Sequence, residues 1–145
     1  VTSLDETSER SITQAIVRYL RRLPSCHVVK YHGNPYSEGG QPDLFGAYKG
    51  LAFLLEVKRA SGDATPRQIA VMRKWRKAGA IAQVVRSVAE VKAIIAKIDA
   101  RIERGELRVT EQAARSGDDK RGLGLVAKQR RVAARLRESL SSDAP

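Results

Sequence analysis

The chain has 145 residues and a mass of 16.0 kDa, with 27 Lys+Arg against 16 Asp+Glu and a formal net charge of +11. That length suits one compact domain with at most an appendage, and 42% apolar residues suffice for an ordinary core. No apolar run approaches the roughly 20 residues of a membrane span, the polar start VTSLDETSER is unlike a secretory signal, and the single Cys26 excludes an internal disulfide framework. A pI near 10.3 makes a polyanion the leading partner, because Lys and Arg that neutralise phosphates release condensed counterions. The expectation is a cytoplasmic protein that faces nucleic acid; composition does not separate binding from catalysis.

In chain order, Ile12, Ala15, Ile16, Tyr19, Leu20 and Leu23 recur at helical spacing and predict a helix over 8–23, stopped by Pro24. Residues 26–32 read as a short strand, and Gly33-Asn34-Pro35 opens a loop that runs to Gly39-Gly40. Two strands follow, over 42–48 and 51–58, with only Lys49-Gly50 between them, a hairpin signal. Thr65 then caps a helix with Pro66 at its first position, running to about Ala78. Gly79 ends it, 81–85 is an apolar strand, and 88–102 is an amphipathic helix. The order helix, three strands, helix, strand, helix implies an α/β domain with a mixed central β-sheet flanked by helices.

The charge divides as +8 over residues 1–109 and +3 over 110–145, so the excess belongs mainly to the body. We read 1–109 as the folded domain and 110–145 as a basic C-terminal extension. In that extension Ser116-Gly117-Asp118-Asp119 looks like linker and 126–140 like a helix with an apolar seam of Val132, Leu136 and Leu140.

The chemistry is concentrated in the hairpin. A two-residue loop pairs Tyr48 with Leu51, so paired residue numbers sum to 99; Asp43 then faces Glu56 and Gln41 faces Lys58. Two carboxylates about 5 Å apart repel by about 3 kcal/mol at an effective dielectric near 20, a poor arrangement unless a proton or cation sits between them. Ala52, Leu54, Glu56 and Lys58 share one face of the third strand, which is otherwise apolar on both faces. Asp43, Glu56 and the Val57 carbonyl offer the hard oxygen ligands Mg²⁺ prefers, and Lys58 is placed to hold or deprotonate an attacking water or to steady phosphate charge. Taken singly, Glu56-x-Lys58 reads as an ordinary strand charge pair and Pro42-Asp43 as a common loop dipeptide; their shared register is what points to a metal site.

Gly40-Gln41-Pro42-Asp43, followed after twelve residues by Glu56-Val57-Lys58, resembles the signature of the PD-(D/E)xK nuclease superfamily. It resembles more closely the VRR-NUC (virus-type replication-repair nuclease) branch, in its stand-alone phage or bacterial form. Glu9-x-x-Ile12 with Gln14-Ala15-Ile16, Thr65-x-x-Gln68, and Ala78-Gly79-Ala80 before Val84-Val85-Arg86-Ser87 are looser matches, within a resemblance over residues 6–95. The resemblance implies a restriction-endonuclease-like core and a Mg²⁺- or Mn²⁺-dependent phosphodiesterase. It assigns Asp43 and Glu56 as metal ligands, Lys58 as the catalytic lysine, and Gln68 as a supporting residue that orients water or substrate. Glu9 would complete the acidic cluster, with Glu6 as a competitor and a plain helix N-terminal acid as the alternative. It further implies branched DNA such as a Holliday junction as substrate and a homodimer as the assembly. The alternatives are flaps, splayed duplexes or specific sites for the same fold, and a non-catalytic nucleic-acid-binding module.

Arg59 and Arg67 join Lys58 as candidates for phosphate positioning, His32 approaches DNA from the loop, and Lys128, Arg130 and Arg131 form the basic stretch of the extension. His27 and His32 are five apart, which sets them on opposite strand faces and against a shared metal. Met72 and Trp75 read as core or dimer contacts.

Overall fold

The computed structural model describes residues 8–107 of the protein. Glu6, the 109/110 boundary and the extension with Lys128, Arg130 and Arg131 lie outside them. Helix α1 (Glu9–Arg21) starts where Ser8 accepts a hydrogen bond from the Ser11 N–H at 3.2 Å, and it buries Ile12, Ile16 and Leu20. It stops two residues before Leu23, because Arg22 already sends its N–H to Tyr19 at 3.1 Å, a tightened last turn.

The strands are β1 (Cys26–Lys30), β2 (Leu44–Tyr48) and β3 (Leu51–Val57), followed by α2 (Pro66–Lys77), β4 (Ile81–Val85) and α3 (Val88–Glu103). The sheet order is β1-β2-β3-β4; β1, β2 and β3 are antiparallel, and β3 and β4, joined through α2, are parallel. This is the mixed α/β architecture expected from the order of elements.

Tyr48 pairs with Leu51 and Leu44 with Leu55, which is the register that the Lys49-Gly50 gap implies. Both turn residues have positive φ, 49° at Lys49 and 87° at Gly50, the pattern of a type I′ turn that suits the twist of the strands. Lysine accepts this conformation where Asp99 of α3 holds its ammonium at 2.5 Å, and the same carboxylate takes the Tyr48 hydroxyl at 3.0 Å.

The sheet separates two unequal cores. On one face α1 and α3 pack Ile16, Leu20, Ile95 and Ile98 against Leu44, Phe53, Leu55 and Val57. On the other face α2 places Met72 on Leu54 and Ala82, with Phe45 and Trp75 at the margin. Met72 and Trp75 are thus core contacts, Trp75 meeting the Phe45 ring edge-on at 5.9 Å. Truncating a fully buried residue of the larger core, such as Ile98, costs about 2–5 kcal/mol.

Candidate functional site

The alternation of β3 delivers Leu54 and Glu56 to the α2 face, and that of β2 delivers Phe45 and, two residues earlier, Asp43 to the same side. The ladder itself ends at Leu44–Leu55, so both strands are shorter at this end than the hairpin pattern predicts. Pro42 has no N–H to give to the ladder, and the Val57 N–H donates to the Asp43 carboxylate at 2.9 Å instead of to a strand carbonyl. The Asp43 carbonyl meanwhile accepts the Tyr31 N–H at 2.8 Å. Asp43 is therefore fixed by main chain on both sides.

Gln41 does not face Lys58 as the extended register predicts. Its side-chain oxygen accepts the Trp75 indole N–H at 3.2 Å, and the Lys58 N–H goes to Val85 at 3.0 Å. The reason is the same: pairing has stopped, so the chain before Asp43 turns onto α2.

Glu56 is 2% exposed, the most deeply placed acid at this end of the sheet. Its Oε1 receives the Lys58 ammonium at 3.0 Å and the Gln68 amide at 2.6 Å. Its Oε2 is buried with no hydrogen-bond partner. Burial pushes the Glu56 carboxyl above its ordinary value, the nearby Asp43 charge adds to this, and the bonds from Lys58 and Gln68 oppose it. For Lys58, burial acts to lower the value, but the hydrogen bond and charge of Glu56, followed by Glu9 and Asp43, raise it overall. The ammonium stays charged through neutral pH, which favours charge stabilisation at Lys58 over removal of a proton from water.

Gln68 holds its position through a capping box. Its side-chain oxygen accepts the Thr65 N–H at 2.8 Å, its own N–H goes to Thr65 Oγ1 at 3.2 Å, and this leaves the amide NH₂ pointing at Glu56. The Thr65-x-x-Gln68 spacing carried this signal, which the helix-start reading of Thr65 and Pro66 did not use.

Glu9 sits in the first turn of α1, with Thr13 Oγ1 donating to its carbonyl at 2.7 Å. Its carboxylate is close enough to act on Lys58 and borders Gly62, so it adds to the negative field at the site. Among the described residues no group of three or more His, Cys, Asp or Glu converges at metal-holding distance. The oxygens that remain for a cation at this end of the sheet are those of Asp43, the unpartnered Glu56 Oε2 and the Val57 carbonyl. A hard divalent cation fits this set, because it would give the orphaned Oε2 the partner that it lacks and offset the charge of Asp43.

Arg67 lies over Gly39 and Gly40: a Cβ on Gly39 would stand 2.8 Å from the Arg67 Cζ, and one on Gly40 2.8 Å from its Cγ. Arg67 therefore packs on the loop that precedes Asp43. Arg59 is exposed just after Lys58, and the loop beyond it is tied down where Arg86 donates to the Gly62 carbonyl at 2.9 Å. His32 is exposed beyond the end of β1.

No protein-family model and no curated protein matches the chain. Solved structures do. One described as a VRR_NUC domain is 26% identical, with a TM-score of 0.51, over 60% of this chain and 92% of its own. The chain is similar to VRR-NUC domains in fold and in sequence. A second structure, a "VRR_NUC domain protein", shares the fold at 18% identity and a TM-score of 0.51, over 65% of this chain and 89% of its own. The likeness to VRR_NUC domains agrees with a nuclease-type α/β fold, and in this fold Asp43, Glu56 and Lys58 lie at one end of the sheet.

Proposed function

We propose that this protein is a VRR-NUC-type DNA endonuclease that uses Mg²⁺ or Mn²⁺ and acts on branched substrates such as Holliday junctions. The observation that carries the reading is the division of the Glu56 carboxylate: Oε1 is claimed by Lys58 and Gln68, and the buried Oε2 is left without a partner. Asp43, Glu56 and the Val57 carbonyl would hold the cation. When bound, it supplies a Lewis acid for the phosphodiester and a more acidic water.

The chain's own residues supply the rest. Lys58 carries a positive charge to the scissile phosphate and fixes the rotamer of Glu56. Gln68 keeps Glu56 Oε1 occupied, so that Oε2 is the oxygen left for a cation. Asp43, bonded to the Val57 N–H, cannot swing away. Arg59, Arg67 and His32, with Lys128, Arg130 and Arg131 of the extension, are proposed phosphate contacts, which position a backbone without reading sequence. We retain 1–109 as the nuclease domain. The four-way junction and the homodimer rest on the family resemblance; a two-fold dimer suits symmetric incision of a junction.

The test is cleavage of a labelled four-way junction, beside flap, splayed and linear duplexes at one salt concentration. Mg²⁺ should drive incision, and Asp43→Asn and Lys58→Ala should abolish it with binding retained. Equal incision by the wild type and both variants sinks the proposal, as does binding with no metal-dependent incision of any substrate.

A further inference from the structure

The exposed side of α1 and the edge strand β1 enclose a shallow groove of about 400 Å³. Four cations line it: Arg10, Arg18 and Arg21 from the helix and Lys30 from the strand. Gln14 stands between the arginines, and Thr13 and Val17 complete the lining; no Asp or Glu among the described residues contributes. Helix spacing explains the row, since positions 10, 14, 18 and 21 fall on one side of a 3.6-residue repeat.

None of the four cations forms an ion pair among the described residues, whereas Lys49, Lys74, Arg86 and Arg104 each face an acid. Four like charges along one unpaired wall repel one another, and the arrangement is relieved by an anion that spans it. Arg10 to Arg21 covers about 16 Å of helix, room for several consecutive phosphates of one strand.

The groove also runs into the site. Arg10 follows Glu9, whose carboxylate reaches the field of Lys58. Lys30 pairs with Leu44, the residue after Asp43, and the next N–H of that strand, from Tyr31, is bonded to the Asp43 carbonyl. Arg10 and Lys30 thus mark the end of the groove nearer the carboxylates, and Arg21 lies at the far end of α1.

We propose that the α1–β1 groove is a binding track for the phosphodiester backbone of a nucleic acid strand, leading that strand to or from the Asp43–Glu56 end of the sheet. The delivery role rests on the nuclease reading above; the binding role does not. Arg10, Arg18, Arg21 and Lys30 make the phosphate contacts, and Gln14 adds a neutral hydrogen-bonding group between them.

The experiment measures anisotropy of a labelled DNA strand and duplex on the full chain, in chelator, across about 50–200 mM salt. Arg18→Gln with Arg21→Gln should weaken binding and lower the slope of log affinity against log salt by about two, one for each lost contact. Lys92→Gln with Lys97→Gln, exposed on α3, removes the same charge and should leave the slope unchanged. Equal slopes for all three proteins, or equal losses in both double variants, overturn the track. Displacement of the strand by polyglutamate or phosphatidylserine vesicles at matched charge overturns the assignment to nucleic acid. A wild type that binds with this salt slope but never cuts with Mg²⁺ sinks the nuclease reading and leaves the track standing; one that cuts while the groove pair binds like wild type does the reverse.

Discussion

Gln68 and Glu56 are joined by a hydrogen bond of 2.6 Å whose donor cannot turn away, because the other end of the same amide closes the N-terminal cap of α2. One side chain thus ties the start of a helix to a buried carboxylate on the central strand.

Replacing it separates the two duties. Gln68→Ala should cost about 1–3 kcal/mol, from the lost bonds to Thr65 and to a charged partner. Gln68→Glu keeps an acceptor for the Thr65 N–H but sets a second carboxylate against Glu56 Oε1. It should be the less stable variant at pH 8 and should approach Gln68→Ala in urea denaturation near pH 5. Greater stability of Gln68→Glu at pH 8 contradicts this account.

Glu56 itself gives a pH dependence of definite sign. Burial, with the Asp43 charge, raises its folded value above the ordinary 4.5, so the folded state favours the neutral carboxyl. Its contribution is fully present below 4.5 and is lost as pH rises through the raised folded value. In chelator, Glu56→Gln should melt higher than wild type at neutral pH, with the gap narrowing as pH falls towards 4.5. Mg²⁺ should raise the wild-type Tm and leave that variant unchanged. A gap that is constant in pH, or that widens in acid, is incompatible with the burial argument.

The loop before Asp43 offers a double-mutant test. A Cβ on Gly39 meets the far end of the Arg67 side chain, Cζ at 2.8 Å, whereas one on Gly40 also meets the Arg67 carbonyl carbon and oxygen at 3.2 Å. Gly40 further sits at φ +81°, which disfavours any Cβ. Gly40→Ala should destabilise by about 1–3 kcal/mol, and Gly39→Ala by less, because the guanidinium end of Arg67 can shift. Adding Arg67→Ala should rescue Gly39→Ala and fail to rescue Gly40→Ala. Calorimetric Tm values for the five variants settle the matter; rescue of both, or of neither, refutes it.

At the other end of the hairpin, Asp99 serves stability alone. Asp99→Ala removes the partner of the Tyr48 hydroxyl and of the Lys49 ammonium, and should cost about 1–2 kcal/mol after allowance for solvent at the exposed carboxylate. Incision at 25 °C should be untouched, since the turn lies at the end of β2 and β3 away from Asp43 and Glu56. Lys49→Gly should be tolerated in the same assay, because glycine adopts the positive φ freely. Loss of incision by folded Asp99→Ala would show that the two ends of the sheet are coupled.

The hairpin was legible because a two-residue gap leaves one register, and that register alone placed Asp43 and Glu56 on one face. The division of the Glu56 oxygens was not, since it depends on which way Lys58 and Gln68 point, and side-chain direction leaves no trace in residue spacing. Gln41 was misplaced because strand alternation was carried past Pro42, where the ladder has no donor left. The cap at Thr65 was visible as a helix start, but the second partner of Gln68 lay twelve residues away, on the strand that α2 packs against. The groove along α1 escaped for another reason: the sequence scatters its arginines among apolar residues, and only the folded helix collects them beside Lys30.

The unequal cores have a consequence for how such a protein can change over generations. Its thick layer, beneath α1 and α3, carries most of the cohesion, while the α2 side has a smaller cluster of Leu54, Met72 and Ala82 and holds the Glu56–Gln68 contact. A change at Leu54, Met72 or Ala82 reaches the reactive end first, and it still carries the cost of altering a buried site. The sheet is a partition, with the foundations on one side and the workshop on the other.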